Sequence, residues 1–403
     1  MYIRHNIGSG KKLPTSLFPL HFFSYLCTHK KPHSLWNFRI WIIIYYLYAN
    51  HLGAPRRTVF MKDRIVTFGE LLLRFSKYDK LRLQQGNVFQ GNFGGSEANV
   101  AISLAVMGND TDYVTRMPDN QMGHAGCMKL QQLGVGTSHV LFGGDRLGTY
   151  YYEEAAGMRS SKVVYDRDNS SFFTLEPQMF NWKEILQGAT IFHASGITGA
   201  ISQTSADATF EALRTADEMG LTISFDINHR KNLWKYGADP RTTLGQMLQY
   251  ADIVFADAIE FEFMTGRRVP FTATSSNYDM PLDVYREWFD DIHRRFPRCR
   301  RWLMGMRNMM SSSHNTLTAL VWDHGELYHT RIYDIQGIVD AMGVGDAFTA
   351  GMIHAEMNFP DDVQQCLDYS LAAAVLKYSI PGDFNLSTED EIRQLMESEL
   401  ICQ

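Results

Sequence analysis

The stretch VDAMGVGDAFTAG, residues 339–351, places two glycines and an aspartate where an apolar strand-like run gives way to a helix-like one. Gly343 and Gly345 can adopt backbone dihedrals that a side chain would forbid. Free N–H groups and the positive end of the dipole at a helix start form an anion site suited to a phosphoryl group. Asp346 falls in the first helical turn. A carboxylate there could accept the proton of an attacking hydroxyl while the amides hold the charge of the transferred phosphoryl.

A helix cap is the simpler interpretation of this turn. Aspartate is favoured at helix N-termini, so a lone G-x-G-D turn is more often a cap than a catalytic site. The stretch lacks the third glycine of G-x-G-x-x-G, and it lacks the G-K-[ST] of a Walker loop. The sequence therefore disfavours a nicotinamide-dependent enzyme and a P-loop kinase, and it leaves both the cap and the anion site open.

A second glycine-led turn lies early in the chain, in GNFGGSEANVA at residues 91–101. Gly94 and Gly95 precede a predicted helix, and Asn99 falls in its first turns. An amide there can donate and accept hydrogen bonds to a polyol. Taken alone, the pattern is equally typical of a loop with a packing asparagine.

The elements around these turns alternate between apolar strand-like runs and segments of helical periodicity. The predicted strands are 64–75, 111–117, 189–196, 221–228 and 251–257, and the predicted helices include 96–108 and 204–220. Such alternation with short connections is typical of an α/β fold in which a parallel sheet has helices on both faces.

Polar and aromatic β-like pieces interrupt the alternation at about 75–95 and 145–175, with segments such as GTYYYEEA and SKVVYDR. Ligands in open α/β sheets bind outside the carboxyl ends of the strands. We therefore predict that these pieces form a small sheet that covers the ligand site as a lid.

Together the two turns resemble the paired signatures of the ribokinase-like (PfkB) carbohydrate kinases, over residues 62 to about 395. The late signature of that family reads D-T-x-G-A-G-D. Four of its positions match here, and two differ without changing the glycines or the presumed base. The matches are Asp340, Gly343, Gly345 and Asp346, and the replacements are Ala341 and Val344.

The resemblance implies a ribokinase-like three-layer α/β/α fold with a central, mostly parallel sheet and a small β-sheet lid, within one domain at 62–403. It implies that Asp346 is the catalytic base and that Gly343, Val344 and Gly345 complete the anion hole. ATP and Mg²⁺ would be the cofactors, and a monovalent cation such as K⁺ is left open.

Further nucleotide contacts follow from the resemblance alone. The family often has N-x-x-E near the metal and phosphates. The segment DAIE here gives Asp257 and Glu260, which implies Glu260 at Mg²⁺, directly or through water. The other implied contacts are Asn228, Arg307, Gly345 and Ala373. Arg307 lies in LMGMRN, where the family usually has T-x-R, and the small residues around Ala373 otherwise indicate a packed helix.

Three segments look like kinases of 2-keto-3-deoxygluconate in particular: ISFDINHRKNLW, VVYDR and PGDFNL. Those enzymes use ATP to phosphorylate the terminal (6-) hydroxyl of an acid sugar. The matching positions imply a substrate site in this chain. Its residues would be Tyr150, Tyr165, Arg167 and Arg230, with Gly94, Gly95 and Asn99 behind them.

The two arginines support an acid sugar on physical grounds, because a guanidinium can hold a carboxylate by two parallel hydrogen bonds. The alternative for Arg167 is a pairing with a surface carboxylate such as Asp166 or Asp168. The default for the tyrosines at 150–152 is packing in the core or lid. A different sugar kinase, such as a fructokinase, and a sugar-binding protein without catalysis are the alternative functions.

Composition limits the partners. Five cysteines without a C-x-x-C pair predict neither a disulfide framework nor a zinc site, and they favour the cytoplasm. After residue 60 the chain holds 30 basic and 44 acidic side chains, a net charge of −14, which disfavours nucleic acid. We expect an acid sugar and ATP as partners, and a homo-oligomer formed through the lid.

Residues 1–61 form a basic extension of different character. Through residue 60 it holds eight Lys or Arg and no acidic residue. Its apolar stretch at 40–50 is about half the roughly 20 residues that a membrane-spanning helix needs, so no membrane partner is expected. A signal peptide, an appended arm and upstream sequence ahead of a true start at Met61 are the interpretations. The abrupt change of charge favours the last.

We predict that this extension is dispensable. The α/β pattern starts only at Arg64, so a protein that begins at Met61 should keep the melting temperature and activity of the full chain. Thermal unfolding and turnover of both proteins check this. A large loss of either property would show that the extension packs on the rest of the chain.

Overall fold

Short apolar strands build two sheets. The structure is a computed structural model that describes residues 63–269 and 281–398, and the extension predicted at 1–61 lies outside these ranges. The strands are β1 Arg64–Phe68, β2 Leu72–Ser76, β3 Gln90–Gly94, β4 Asp110–Met117, β5 Val140–Phe142, β6 Gly148–Glu153, β7 Lys162–Asp166, β8 Ala189–Ser195, β9 Thr222–Asp226, β10 Ile253–Asp257, β11 Arg301–Ser311, β12 His314–Asp323, β13 Glu326–His329 and β14 Tyr333–Gln336.

Ten of these strands form the central sheet, in the order β13, β12, β11, β10, β9, β8, β1, β4, β5, with β14 beside β12. The pairings from β11 to β5 are parallel, and β12 is antiparallel to its three neighbours. Adjacent residues such as Ile65 and Val66 are both fully buried. Since they point to opposite faces, the sheet must be covered on both sides.

Helices supply that cover and complete the predicted α/β/α layers. They are α1 Ser96–Val106, α2 Gln121–Gln132, α3 Trp182–Ile185, α4 Gly196–Gly199, α5 Gln203–Glu218, α6 Pro240–Leu248, α7 Ala258–Thr265, α8 Leu282–Arg295, α9 Val344–Asn358, α10 Val363–Lys377 and α11 Glu389–Glu397. Helices α5 to α8 pack on one face of the sheet, and α1, α9 and α10 pack on the other. Within the described ranges, no helix has both the length and the apolar character needed to span a membrane.

The predicted small sheet is present, with the strand order β3, β2, β6, β7. Strands β2 and β6 are parallel, and the outer pairs are antiparallel. Tyr150 and Tyr152 of β6 are buried beside Leu72, whereas Val163 and Val164 of β7 are exposed. This lid therefore has a packed inner side and an apolar exposed edge.

The prediction of a single strand at 64–75 is wrong, because β1 ends at Phe68 and β2 starts at Leu72 in the other sheet. The break occurs at Gly69, where a Cβ would lie 2.0 Å from Oε2 of Glu97. Only glycine fits this approach of the two segments.

Candidate active site

Helix α9 begins at an open turn. Its N-cap residue, Gly343, has φ = 77°, a left-handed conformation that favours glycine. A Cβ at Gly343 would also lie 1.9 Å from the carbonyl oxygen of Asp383. Among the described residues, no side chain caps the first amides of α9, and a Cβ at Gly345 would meet no atom within 4 Å. Free N–H groups therefore face open space, as an anion site requires.

The carboxylate of Asp346 connects this turn to the early glycine-led turn. Its Oδ1 accepts a hydrogen bond from Ser96 Oγ at 2.9 Å, and its Oδ2 accepts one from Asn99 Nδ2 at 2.7 Å. Burial raises the pKa of Asp346 above that of an ordinary aspartate, although both hydrogen bonds oppose the rise. The carboxylate thus binds α1 instead of capping its own helix, and its raised pKa suits a general base.

Close packing explains the early glycines. A Cβ at Gly94 would lie 2.3 Å from Oδ2 of Asp383, and one at Gly95 would lie 2.3 Å from the carbonyl oxygen of Glu70. Asn99 is buried, and its Oδ1 accepts a hydrogen bond from the Gly95 N–H at 3.3 Å. These contacts position the carboxylate of the predicted base. Contact of the two glycines and Asn99 with a sugar stays a prediction.

Asn228 joins the hydrogen bonds around Asp346 through Ser96, a residue that sequence reasoning missed. Its Nδ2 donates to Ser96 Oγ at 3.0 Å. Its Oδ1 is buried and has no hydrogen-bond partner in the described part of the chain. Its φ of 35° is uncommon for a residue with a side chain. An unsatisfied buried acceptor on a strained residue marks a place where a ligand hydroxyl or water would donate.

Arg230 lies close enough to Asp346 for their charges to interact. Desolvation opposes the charge of Arg230, but the negative charges of Glu260, Asp226 and Asp346 contribute to a pKa above its usual value. The residue is nevertheless exposed to solvent. The charge of Arg230 is thus within electrostatic reach of the predicted base, and contact of Arg230 with a ligand stays a prediction.

Backbone amides hold the carboxylate of Glu260. Its Oε1 accepts a hydrogen bond from the His229 N–H at 2.9 Å, and its Oε2 accepts one from the Asp257 N–H at 3.1 Å. Oδ1 of Asp257 accepts from the Glu260 N–H at 2.8 Å, which completes a capping box for α7. Aspartate is as good a helix cap as the asparagine that the resemblance expects at this position.

Each carboxylate oxygen of Glu260 accepts one backbone hydrogen bond, which leaves a lone pair on each oxygen for a metal ion or a water. Burial raises its pKa, and the nearby charge of Arg230 opposes the rise. Over 63–269 and 281–398, no group of three His, Cys, Asp or Glu could hold a metal ion. Contact between Glu260 and Mg²⁺, directly or through water, stays a prediction.

Arg167 has a partner that the sequence did not predict. Its Nε donates to Oε2 of Glu70 at 2.7 Å, its Nη2 lies 2.5 Å from the same oxygen, and both side chains are buried. The alternative pairing with Asp166 or Asp168 is wrong, because these exposed carboxylates pair with other basic side chains. Nη1 of Arg167 is buried and lacks a hydrogen-bond partner among the described residues. One donor therefore remains for a substrate oxygen.

The two predicted substrate tyrosines lie beside Arg167. The ring centroids of Tyr150 and Tyr165 are 6.0 Å apart, and Cζ of Arg167 lies 5.6 Å from the centroid of Tyr165. The hydroxyl of Tyr150 donates to Asp383, and burial raises the pKa of this phenol well above its usual value. The structure thus brings together three of the four side chains implied for sugar binding.

A buried ion pair connects the lid to the anion loop, which we define as residues 340–345. Arg74 of β2 donates from Nη2 to Oδ2 of Asp340 at 2.8 Å, and its Nη1 lies 3.0 Å from Oδ1 of Asp383. Sequence reasoning missed this pair although a signal exists. In β2, Leu72, Arg74 and Ser76 alternate on the buried side, and a buried arginine needs a carboxylate partner.

Two implied nucleotide contacts gain no support from their surroundings. Arg307 is exposed on β11. Ala373 is fully buried, and a Cβ at Gly351 would lie 3.1 Å from its Cβ, so the close approach of α9 and α10 accounts for its small size. Contact of either residue with ATP stays a prediction.

The fold and site define a class of enzyme, since a lidded parallel sheet carries a carboxylate beside an uncapped helix N-terminus. Such a site suits phosphoryl transfer to a hydroxyl. Residues 62–277 match the family model described as pfkB family carbohydrate kinase. The chain belongs to this family, and it is a carbohydrate kinase.

The match between this chain and individual relatives covers nearly the whole length of each relative. The crystal structure of 2-dehydro-3-deoxygluconokinase from Thermotoga maritima is 33% identical, with a TM-score of 0.77, over 83% of this chain and 100% of that one. The 2-dehydro-3-deoxygalactonokinase of Haloferax volcanii is 27% identical over 83% of this chain and 97% of its own length. Fructokinase-1 of Oryza sativa subsp. japonica is 25% identical over 83% of this chain and 98% of its own length.

We predict that Asp346→Asn keeps the fold and nucleotide binding but lowers kcat by about 10² to 10⁴, because the amide preserves shape and removes basicity. Thermal unfolding, ATP binding and steady-state kinetics measure the three properties. Asp239→Asn is the matched control, since it changes an exposed aspartate that caps another helix, α6. Near-normal turnover of a folded Asp346→Asn protein would reduce Asp346 to a structural residue.

Proposed function

We propose that the chain transfers the γ-phosphoryl group of ATP to the 6-hydroxyl of 2-keto-3-deoxy-D-gluconate, giving 2-keto-3-deoxy-6-phosphogluconate. The observation that carries the proposal is the Asp346 carboxylate, oriented by Ser96 and Asn99 beside the open N-terminus of α9. The 6-hydroxyl gives its proton to Asp346 as its oxygen attacks the phosphoryl group. The amides of the anion loop stabilise the negative charge that develops on the transferred oxygens.

The uncapped start of α9 fits the phosphates of ATP. PfkB kinases use ATP with Mg²⁺, and Mg²⁺ would neutralise phosphate charge during transfer. Glu260 would hold Mg²⁺ directly or through water, because each of its carboxylate oxygens keeps a lone pair after accepting one backbone hydrogen bond. Asn228 donates a hydrogen bond to Ser96 and has an unsatisfied Oδ1, so it would orient a hydroxyl or water.

An acid sugar accounts for the basic groups around the proposed sugar site. Nη1 of Arg167 is an unsatisfied buried donor, and Arg230 is exposed within the electrostatic reach of Asp346. A carboxylate would accept hydrogen bonds from both, whereas a neutral hexose would leave a charged donor less well satisfied. The acid-sugar kinases of Thermotoga maritima and Haloferax volcanii are consistent with this choice.

A panel of sugars tests the substrate. We predict ATP-dependent turnover of 2-keto-3-deoxygluconate with a kcat/KM well above those for 2-keto-3-deoxygalactonate and fructose. Better turnover of fructose would favour a fructokinase. This is the second candidate because the chain is also similar to the fructokinase of Oryza sativa. Binding of a sugar without phosphate transfer would indicate a non-catalytic homologue.

Arg230→Ala tests the carboxylate contact. Losing a hydrogen bond to a charged group typically costs about 1.5 to 3 kcal/mol, so KM for the acid sugar should rise roughly ten- to a hundredfold. KM for fructose should change little. Arg230 is the better target because Arg167→Ala would also leave the buried Glu70 unpaired.

Arg214→Ala is the control for that experiment, since Arg214 is an exposed arginine of α5 that pairs with Glu218. It should leave both KM values unchanged. An unaltered KM for the acid sugar in the Arg230→Ala protein would contradict the assignment of this arginine.

We also propose that the protein is cytoplasmic and forms a homo-oligomer through the lid. The three cysteines within the described ranges, Cys127, Cys299 and Cys366, are buried and unpaired, as in a reducing compartment. Val163 and Val164 of β7, an outer strand of the lid, present an exposed apolar edge, with Val164 54% exposed. Burying such a patch against a second copy removes it from water.

We predict that Val164→Glu shifts the protein toward the monomer, because a charge at a buried contact opposes association. Light scattering across a concentration series measures the mass. Ile259→Glu, at an exposed apolar residue of α7, is the control and should not alter the mass. A monomeric unmodified protein would contradict the proposed lid contact.

A further inference from the structure

Lys377 is a buried cation without an assigned role. It lies in the last turn of α10 and is fully buried. Its Nζ donates to the carbonyl oxygen of Ile380 at 2.8 Å. Within the described chain this is its single hydrogen bond, and no carboxylate lies within ion-pair distance. Two of the three N–H groups of an ammonium are thus left without a direct protein acceptor.

The backbone around Lys377 leads directly to the anion loop. The carbonyl oxygen of Tyr378, the next residue, accepts hydrogen bonds from the N–H groups of Val339 at 2.9 Å and Asp340 at 3.3 Å. The turn after α10 returns to the same loop, where the Gly382 N–H donates to Oδ2 of Asp340 at 3.0 Å. The turn that carries Lys377 is therefore hydrogen-bonded to the start of the anion loop.

The charges around this position are mostly negative. Burial lowers the pKa of Lys377 to about 8, and the charges of Asp340, Asp383 and Asp346 act in the opposite direction. Arg74 is the other cation that acts on Lys377. An apolar side chain would avoid the cost of burying an ammonium. A positive charge here is therefore best explained by what it does for the three carboxylates and the loop between them.

We propose that Lys377 is the built-in cation of the anion loop: its ammonium fixes the loop and balances the surrounding carboxylates, so that phosphoryl transfer needs no added monovalent cation. A K⁺ ion beside these carboxylates would need oxygen ligands such as the Ile380 carbonyl oxygen, which already accepts a hydrogen bond from Nζ. Lys377 acts through the loop and is a positioning residue. The inference rests on the proposed kinase activity and answers the question of K⁺ that the family resemblance left open.

The test compares turnover with and without K⁺. The full-length protein is assayed with ATP, Mg²⁺ and 2-keto-3-deoxygluconate, or whichever sugar of the panel supports turnover. Tetramethylammonium chloride is replaced stepwise by KCl or NH₄Cl at a constant ionic strength of about 0.1 M, which keeps electrostatic screening fixed. The unmodified enzyme should change by less than about twofold in kcat across the series.

Lys377→Met removes the charge and keeps most of the apolar stem. Its kcat in tetramethylammonium should fall about 10- to 100-fold, with a smaller change in the KM for sugar, because the loop amides act mainly on the transferred phosphoryl. KCl or NH₄Cl should restore part of that kcat, since either ion can enter the space left by the ammonium. A loss of packing alone would not be reversed by a specific cation.

Lys129→Met is the matched control, because Lys129 is the basic residue in the last turn of α2. It should show neither the loss nor the rescue. Thermal unfolding of each variant separates misfolding from a catalytic loss. If Lys377→Met fails to fold, the response of the unmodified enzyme to K⁺ still decides the matter.

Two results would overturn the inference while leaving the kinase proposal intact. One is an unmodified enzyme that K⁺ activates severalfold, and the other is a folded Lys377→Met protein with unchanged kcat. An unmodified enzyme that phosphorylates no sugar in the panel, with or without K⁺, would count against the proposed function itself.

Discussion

The buried pairing of Arg74 with Asp340 and Asp383 is the interaction on which the geometry of the site depends. The guanidinium comes from the lid, Asp340 begins the anion loop, and Asp383 lies in the turn after α10. Asp383 also requires glycine in both glycine-led turns and accepts the hydroxyl of Tyr150. Removing one partner of a buried pair typically costs about 3 to 5 kcal/mol. The lid is therefore tied to the anion loop by charge as well as by packing.

Local patterns made the fold predictable, and contacts between distant segments limited the prediction. Apolar strands alternating with helices indicated the layered α/β architecture, because both signals are contained in a few adjacent residues. The run at 64–75 is rich in apolar residues on both sides of Gly69, so periodicity could not show that it crosses between two sheets. At the break, the side chain of Glu97 from another element fills the space beside Gly69.

The candidate site likewise contains residues that local patterns revealed and a pairing that only distant contacts determine. Asp346 and Asn99 could be found because glycine-led turns mark them, and the structure joins their side chains directly. The partner of Arg167 could not be found, since sequence proximity suggested exposed aspartates while the structure uses Glu70, 97 positions away. Exposed ion pairs contribute little and select partners weakly, whereas a buried guanidinium must meet a carboxylate with matching geometry. Burial, which sequence spacing does not reveal, decided the pairing.

The charges of the site also explain how an acidic protein can act on anions. After residue 60 the chain has a net charge of −14, and both proposed substrates are negatively charged, so the overall field does not attract them. Binding must therefore come from individual cationic side chains within the site. Arginine suits the sugar side, because its planar fork matches a carboxylate. Lysine suits the position behind the anion loop, because a compact ammonium balances several carboxylates without a paired geometry. Anions that cannot reach these groups meet only repulsion, so the net negative charge of the chain also favours selectivity.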